Sequence, residues 1–198
     1  MPTDPLRKIR WLLWALVGIA ALAAAWFTVI SPRLTTLSEA GTDNLGRGDY
    51  KLVATDGTEF TQDSLKGQPS AVFFGFTHCP DVCPTTLGEV AGWQEAVGGK
   101  LRVFFVTVDP ERDTAEKLKE YVSWVDGVTG VTGSPEEIAK ATRAFRVYAR
   151  KVPAEDGYTM DHSAMTLLFD AEGRYSGLIG YQEDPARTKA SLQKLLGS

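Results

Sequence analysis

The chain has 198 residues, is 43% hydrophobic and carries a formal net charge of −4. Its acidic balance, with no basic patch interleaved with aromatics, excludes nucleic acid as a partner class. Two cysteines, two histidines and three methionines are all its soft metal-binding side chains, so thiol or metal chemistry must be concentrated in very few places.

Residues 11–30, WLLWALVGIAALAAAWFTVI, contain no charge, no proline and one glycine. As a helix they would span about 30 Å, the thickness of a hydrocarbon core. Arg7, Lys8 and Arg10 precede them and the next basic residue is Arg33. The positive-inside rule therefore predicts a cytoplasmic stub over 1–10, a transmembrane anchor over 11–30 and everything beyond Pro32 across the membrane. Trp11, Trp14 and Trp26 lie near the ends of the segment, where indole rings favour the interface. Ala23-Ala24-Ala25 would also suit a signal-peptide cleavage site, but the apolar run continues through Ile30 and exceeds the usual h-region, which favours an uncleaved anchor. No Arg- and Ser-rich presequence precedes it. The expectation is a single-pass protein of the bacterial inner (plasma) membrane, N-terminus in the cytoplasm and soluble domain in the periplasm.

Residues 31–48 are rich in Ser, Thr and Gly and read as a flexible tether. Residues 49–198 are enough for one domain with its own core. Asp4 and the three basic residues are the only charges before residue 31, so the rest of the chain carries 18 basic and 24 acidic groups. Asp56-Gly57 between residues 50–55 and 58–61 predicts a hairpin. Residues 71–76 form an apolar run suited to a strand buried on both faces. Pro84 in a first turn predicts a helix to about Val97, and residues 101–108 a second buried strand. Asp113 or Thr114 caps the next helix, to about Val125, with Leu118, Tyr121, Val122 and Val125 on one face. After a short linking segment, Ser134-Pro135-Glu136-Glu137 opens a helix carrying Ile138, Ala141, Phe145 and Tyr148. Residues 164–169 and 175–181 read as paired strands, and residues 185–196 as a last helix. The order hairpin, β-α-β-α, link, α, β-β-α predicts an α/β fold: a thioredoxin-like mixed sheet flanked by helices, with an N-terminal hairpin.

The chemistry sits in two short segments, Phe76-Thr77-His78-Cys79-Pro80-Asp81-Val82-Cys83-Pro84 and Met160-Asp161-His162-Ser163. Two thiols in an oxidising compartment are normally a structural disulfide. Here, however, they stand four apart at the carboxyl end of a strand and at the start of a helix. That spacing permits a disulfide or convergence on one ion, and the helix N-terminus favours thiolate over thiol. His162 would add an imidazole, with Asp161 beside it to fix its tautomer. Two thiolates and an imidazole suit Cu(I) and Cu(II), whereas structural zinc wants four protein ligands and the chain has no third cysteine. His78 is a less suitable fourth ligand, because it is adjacent to Cys79 and points the other way on extended chain. Asp109 to Thr114 reads as strand end, Asp-Pro turn and helix cap; alternatively, Asp109 or Asp113 shapes the cysteine loop.

Gly75-Phe76-Thr77-His78-Cys79-Pro80-Asp81-Val82-Cys83-Pro84, Val106-Thr107-Val108-Asp109-Pro110-Glu111-Arg112-Asp113-Thr114 and Asp161-His162-Ser163 resemble, in order, the three signatures of the SCO/SenC family, membrane-anchored copper proteins of cytochrome c oxidase assembly. The resemblance implies a thioredoxin-like fold with an inserted hairpin, Cys79, Cys83 and His162 as copper ligands, and copper delivery to the oxidase subunit that carries the binuclear copper centre. Other copper chaperones or thiol reductants are further expected partners of a monomeric domain. Thr85-Thr86-Leu87, where many members carry an acid before the Leu, and Leu167-Leu168-Phe169-Asp170, in place of an aromatic strand ending in Pro-Asp/Glu-Gly, depart from the pattern. The alternative function is a thiol–disulfide oxidoreductase that reduces the oxidase copper-site cysteines, or a redox or copper sensor, with Cys79 and Cys83 as its redox pair. A membrane-tethered peroxidase fits less well, because no activating Arg lies near these cysteines in sequence.

Overall fold

The computed structural model describes residues 5–26, 44–155 and 157–197. The chain divides into two compact units, Met1–Asp43 and Asn44–Ser198. In the first, helix α1 spans Pro5–Ala25 and leaves large apolar side chains exposed, among them Trp11, Trp14, Ile19 and Leu22. Among the described residues no helix is long and apolar enough to cross a membrane. Residues 27–30 of the expected anchor, and 31–43 of the expected tether, lie outside the described residues.

In the second unit, strands β1 (Leu52–Ala54) and β2 (Glu59–Phe60) form the hairpin expected around Asp56-Gly57, with Leu52 opposite Phe60. Gly57 takes φ 87 there, a left-handed conformation open to glycine at little cost. Then come β3 (Ser70–Gly75), α2 (Val82–Ala96), β4 (Arg102–Thr107), α3 (Ala115–Val122), β5 (Val128–Thr132) and α4 (Pro135–Ala144). A ribbon of β6 (Ala149–Ala154) and β7 (Gly157–His162) precedes β8 (Met165–Phe169), β9 (Tyr175–Gly180) and α5 (Pro185–Leu196). Seven strands make one mixed sheet in the order β2-β1-β5-β4-β3-β8-β9, while β6 and β7 pair only with each other.

Strands β5, β4 and β3 run parallel, and β8 returns antiparallel to β3 with Phe73 opposite Thr166. Every residue of β3 is buried, as an apolar run in the middle of a sheet covered on both faces requires. Helices α3 and α4 start where capping chemistry places them, with Thr114 Oγ1 accepting from Lys117 N and Ser134 Oγ from Glu137 N. Of the two cap candidates for α3, Thr114 fills the role.

Two local expectations are corrected, and one stretch without an expectation proves to be a ribbon. The linking segment after α3 is a strand, β5, whose sequence Val128-Thr129-Gly130-Val131-Thr132 is too short and glycine-rich to declare itself. Gly130 is needed because a Cβ there would meet Thr55 Cγ2 at 2.8 Å and Leu118 Cβ at 3.0 Å. Residues 149–162 form the β6–β7 ribbon, whose mixed polar pattern follows from standing outside the main sheet. Finally, Leu45 and Gly46, read as tether, belong to the domain: Leu45 is buried and Gly46 N donates to Ala144 O at 2.9 Å.

Candidate metal centre

The site lies where two neighbouring strands end and begin. Because β3 and β8 are antiparallel neighbours, the carboxyl end of β3 lies beside the amino end of β8. The chain leaving β3 runs through Phe76 to Cys79 and into α2; the chain entering β8 comes from His162. Sulfur and imidazole donors 79 residues apart in sequence therefore meet at one end of the sheet. One donor atom from each of Cys79, Cys83 and His162 lies within 4.8 Å of both others, and Cys83 Sγ is 3.8 Å from His162 Nε2. With metal–ligand bonds of about 2.0–2.3 Å, donors around one three-coordinate ion stand about 3.7 Å apart, so the donor set fits a single ion.

The sulfur half is held from several sides. Cys79 N donates to Phe76 O at 3.2 Å, closing the turn. Asp81 stands at the N-cap of α2 without a side-chain cap bond. The orphan N–H of Cys83, in the first turn, instead donates to Cys79 Sγ at 3.3 Å, so the sulfur serves as the cap and gains the stabilisation that a helix N-terminus gives an anion. Cys83 is fully buried, with its Sγ against Gly75: a Cβ on that glycine would lie 2.7 Å from the sulfur and 2.8 Å from Phe105. The glycine leaves the volume that the sulfur occupies.

Asp113 fixes the loop before Cys79. It is completely buried; Oδ2 accepts from Thr77 N at 3.0 Å and from Thr107 Oγ1 at 2.6 Å, and Oδ1 accepts from Thr77 Oγ1 at 2.6 Å. The loop-shaping alternative for the Asp109–Thr114 segment thus describes Asp113 better than the helix-cap reading. His78 is half exposed, with Nδ1 3.0 Å from Thr77 Oγ1 and 3.9 Å from Asp113 Oδ1; it stays out of the cluster.

His162 ends β7. Its Nδ1 lies 3.0 Å from Ser163 O, so an Nδ1–H donor leaves Nε2 to face the sulfurs. The tautomer-fixing partner is therefore a backbone carbonyl and not Asp161, which alternates to the exposed face of the strand. The imidazole packs edge-on against Phe76, 5.7 Å between centroids at 88°.

The two sulfurs ionise in opposite directions. The Cys79 thiol is lowered to about 4, chiefly by the hydrogen bond from Cys83, helped by His162 and by backbone N–H groups and opposed by burial. Cys83 is pushed up by that same bond and by burial. The first proton therefore leaves the half-exposed sulfur, and the buried one holds the second. Both residues are free thiols.

Sequence reasoning passed over Gly75, although a glycine closing an apolar strand just before the cysteines signals a close approach. It also passed over Arg112 and Tyr158, which meet only because the ribbon folds back. Arg112 Nε donates to Asp109 Oδ2, Nη1 donates to Tyr158 O at 3.0 Å, and Tyr158 Oη donates to Asp109 Oδ1 at 2.9 Å.

The SCO1/SenC family model matches residues 38–197. An SCO2-like protein of Rickettsia conorii is 35% identical over 181 residues, covering 85% of this chain and 86% of the relative. Among solved structures, this chain is similar to Bradyrhizobium japonicum ScoI with copper bound, at 43% identity and TM-score 0.68, covering 76% of this chain and 99% of that one. It is likewise similar to yeast Sco1 with copper bound, at 32% identity and TM-score 0.68, covering 78% and 90%. The central mixed sheet flanked by helices is the thioredoxin-like architecture of these Sco structures. The chain belongs to the SCO1/SenC family.

Proposed function

We propose that the protein is a membrane-anchored copper metallochaperone that carries copper on Cys79, Cys83 and His162 and delivers it to the copper-bearing subunit of cytochrome c oxidase. The observation that carries this reading is the convergence of two thiols and one imidazole within 4.8 Å, in a chain similar to Sco proteins with copper bound. The donor chemistry agrees: two soft thiolates satisfy Cu(I), and the added nitrogen accommodates Cu(II). Copper is cargo. The half-exposed Cys79 is the sulfur a docked acceptor reaches first, so ligand exchange starts there and ends at buried Cys83. The apolar segment 11–30 behind Arg7, Lys8 and Arg10 supports an anchor with the domain on the periplasmic face. The family resemblance supports the oxidase as the destination.

Anaerobic copper titration of the reduced domain tests this reading, with sulfur ligation read by spectroscopy. One equivalent of copper should bind. Binding should vanish on oxidation of the pair or after Cys79→Ala plus Cys83→Ala. A reduced domain that binds no copper, or a double variant that binds equally well, overturns it.

The split ionisation of the sulfurs favours a second reading, thiol–disulfide exchange. Cys79 thiolate would attack a partner disulfide and release one partner thiolate. Cys83 would then attack Cys79 Sγ, its proton passing to the second partner sulfur as it leaves, and the pair would end as a disulfide two electrons more oxidised. His162→Ala separates the two: retained oxidase assembly with Cu(II) binding lost supports exchange, and assembly lost with Cu(II) binding supports delivery.

A further inference from the structure

The ribbon β6–β7 shares no backbone ladder with the main sheet, so side chains must hold it against the domain, and with it His162. Tyr158 Oη donates directly to Asp109 Oδ1 at 2.9 Å, and three further ties stand out. Lys151 Nζ pairs with Glu111 at 2.7 Å, but both are exposed, 44% and 59%, and such pairs contribute little. Met160 packs against the core without directional bonds. The third tie is Arg112, only 24% exposed, beside Asp109 at 2%. Its guanidinium carbon lies 3.8 Å from the Tyr158 ring centroid and 6.0 Å from that of Phe76. Through Nε it binds Asp109, and through Nη1 the Tyr158 carbonyl. Tyr158 and His162 share one face of β7 by strand alternation, and Phe76 packs edge-on against His162. One planar cation therefore joins the loop after β4, the ribbon and the ring that backs the imidazole.

Resting on the copper reading above, we infer that Arg112 is a positioning residue for the nitrogen half of the site: a latch that sets whether His162 is available to a metal held by the sulfurs. Arginine suits the task because a planar fork can stack on an aromatic ring while bonding in its own plane, which an ammonium cannot do. The latch is also reversible. Arg112 Nη2 is buried without an acceptor among the described residues, and opening the contact hydrates that donor, recovering part of the cost of separation. Closed, the latch gives a three-donor site; open, a two-sulfur site that still holds Cu(I) and has lost its preference for keeping Cu(II).

Arg112→Met, which keeps an apolar stem and removes the cation, tests this with and without metal. In the metal-free domain, amide exchange across residues 158–162 should speed up about tenfold while β3 and β4 keep their protection, and the His162 ring-proton resonances should lose the shift imposed by Phe76. With copper, Cu(II) affinity should fall about 10–100-fold, the usual cost of removing a group that orients a ligand. The nitrogen coupling in the paramagnetic spectrum should weaken, and Cu(I) affinity should change far less. A folded Arg112→Met domain with unchanged ribbon exchange, ring shifts and Cu(II) affinity overturns the inference. Should that variant not fold, Arg112→Lys decides: faster ribbon exchange supports the latch, unchanged exchange rejects it. A wild-type domain that binds copper without any nitrogen signature would sink the ligand assignment of His162 instead, and the metal-free readouts would still judge Arg112.

Discussion

The two halves of the site are built differently. Cys79 and Cys83 stand on the turn between a central strand and a helix, pinned by Asp113, capped into α2 and pressed against Gly75. His162 ends a two-stranded ribbon that shares no backbone ladder with the main sheet and is bonded to the domain by side chains such as Arg112. Preorganised thiolates give affinity without reorganisation, while a donor on a peripheral ribbon can be added or withdrawn. The proposed carrier role, which requires both holding copper and giving it up, would gain from that inequality.

The largest expected effect removes the rigid half altogether: Cys79→Ala with Cys83→Ala should abolish copper binding in an anaerobic titration, whereas His162→Ala should retain Cu(I) and lose mainly Cu(II). Equal losses of both ions in the two variants would erase the distinction between the halves. Next, Asp113→Ala strands three donors, two of them on partly buried Thr77, and should cost about 3 kcal/mol of stability by denaturant titration, with copper affinity falling because Thr77 no longer fixes the loop. Gly75→Ala adds a methyl where 2.7 Å separates it from Cys83 Sγ and should cost about 1–3 kcal/mol, lowering the melting temperature and displacing the buried sulfur.

The pH dependence sharpens the comparison further. Cys79 is lowered to about 4, so its contribution to stability is present above the ordinary thiol range and is lost as pH falls through about 4. Cys83 is raised, so its contribution has the opposite sign, full below the ordinary thiol range and lost as pH climbs toward its own ionisation. Over most of the working range the pair thus holds one proton, which copper must displace. In the His162→Ala background, which isolates the sulfurs, Cu(I) affinity should rise about tenfold per pH unit between pH 5 and 8, measured against a competing chelator. A flat profile would show both sulfurs already ionised. The smallest effect belongs to Lys151→Ala: losing its exposed pair with Glu111 should leave the melting temperature essentially unchanged.

Much of this was legible in the sequence because the signals were local and strong. The apolar runs of β3 and β4, the Asp-Gly hairpin and the capping residues Thr114 and Ser134 each carry their own physics, and α5 falls on the expected residues. The cysteine spacing and its place at a strand's end also announced the sulfur half. What stayed hidden depends on tertiary neighbours. Strand β5 is strand-like only because β4 and β1 flank it, and the ribbon lacks alternation because no sheet lies behind it. Asp113 looks like a cap residue in one dimension and becomes a loop anchor only when Thr77 and Thr107 close on it. Arg112 belongs to a recognisable motif, but nothing in one dimension says that Tyr158 lies against it.

The separation of the donors by 79 residues also has a meaning in time. At about 5–20 residues per second, synthesis delivers His162 some 4–16 seconds after Cys83, and the donors meet only once β8 has paired with β3. Until then the nascent chain offers two thiols and no nitrogen, a pair open to oxidation or to a stray soft ion. The complete site is therefore a certificate of finished folding: a chain that has not closed its sheet cannot bring its three donors together.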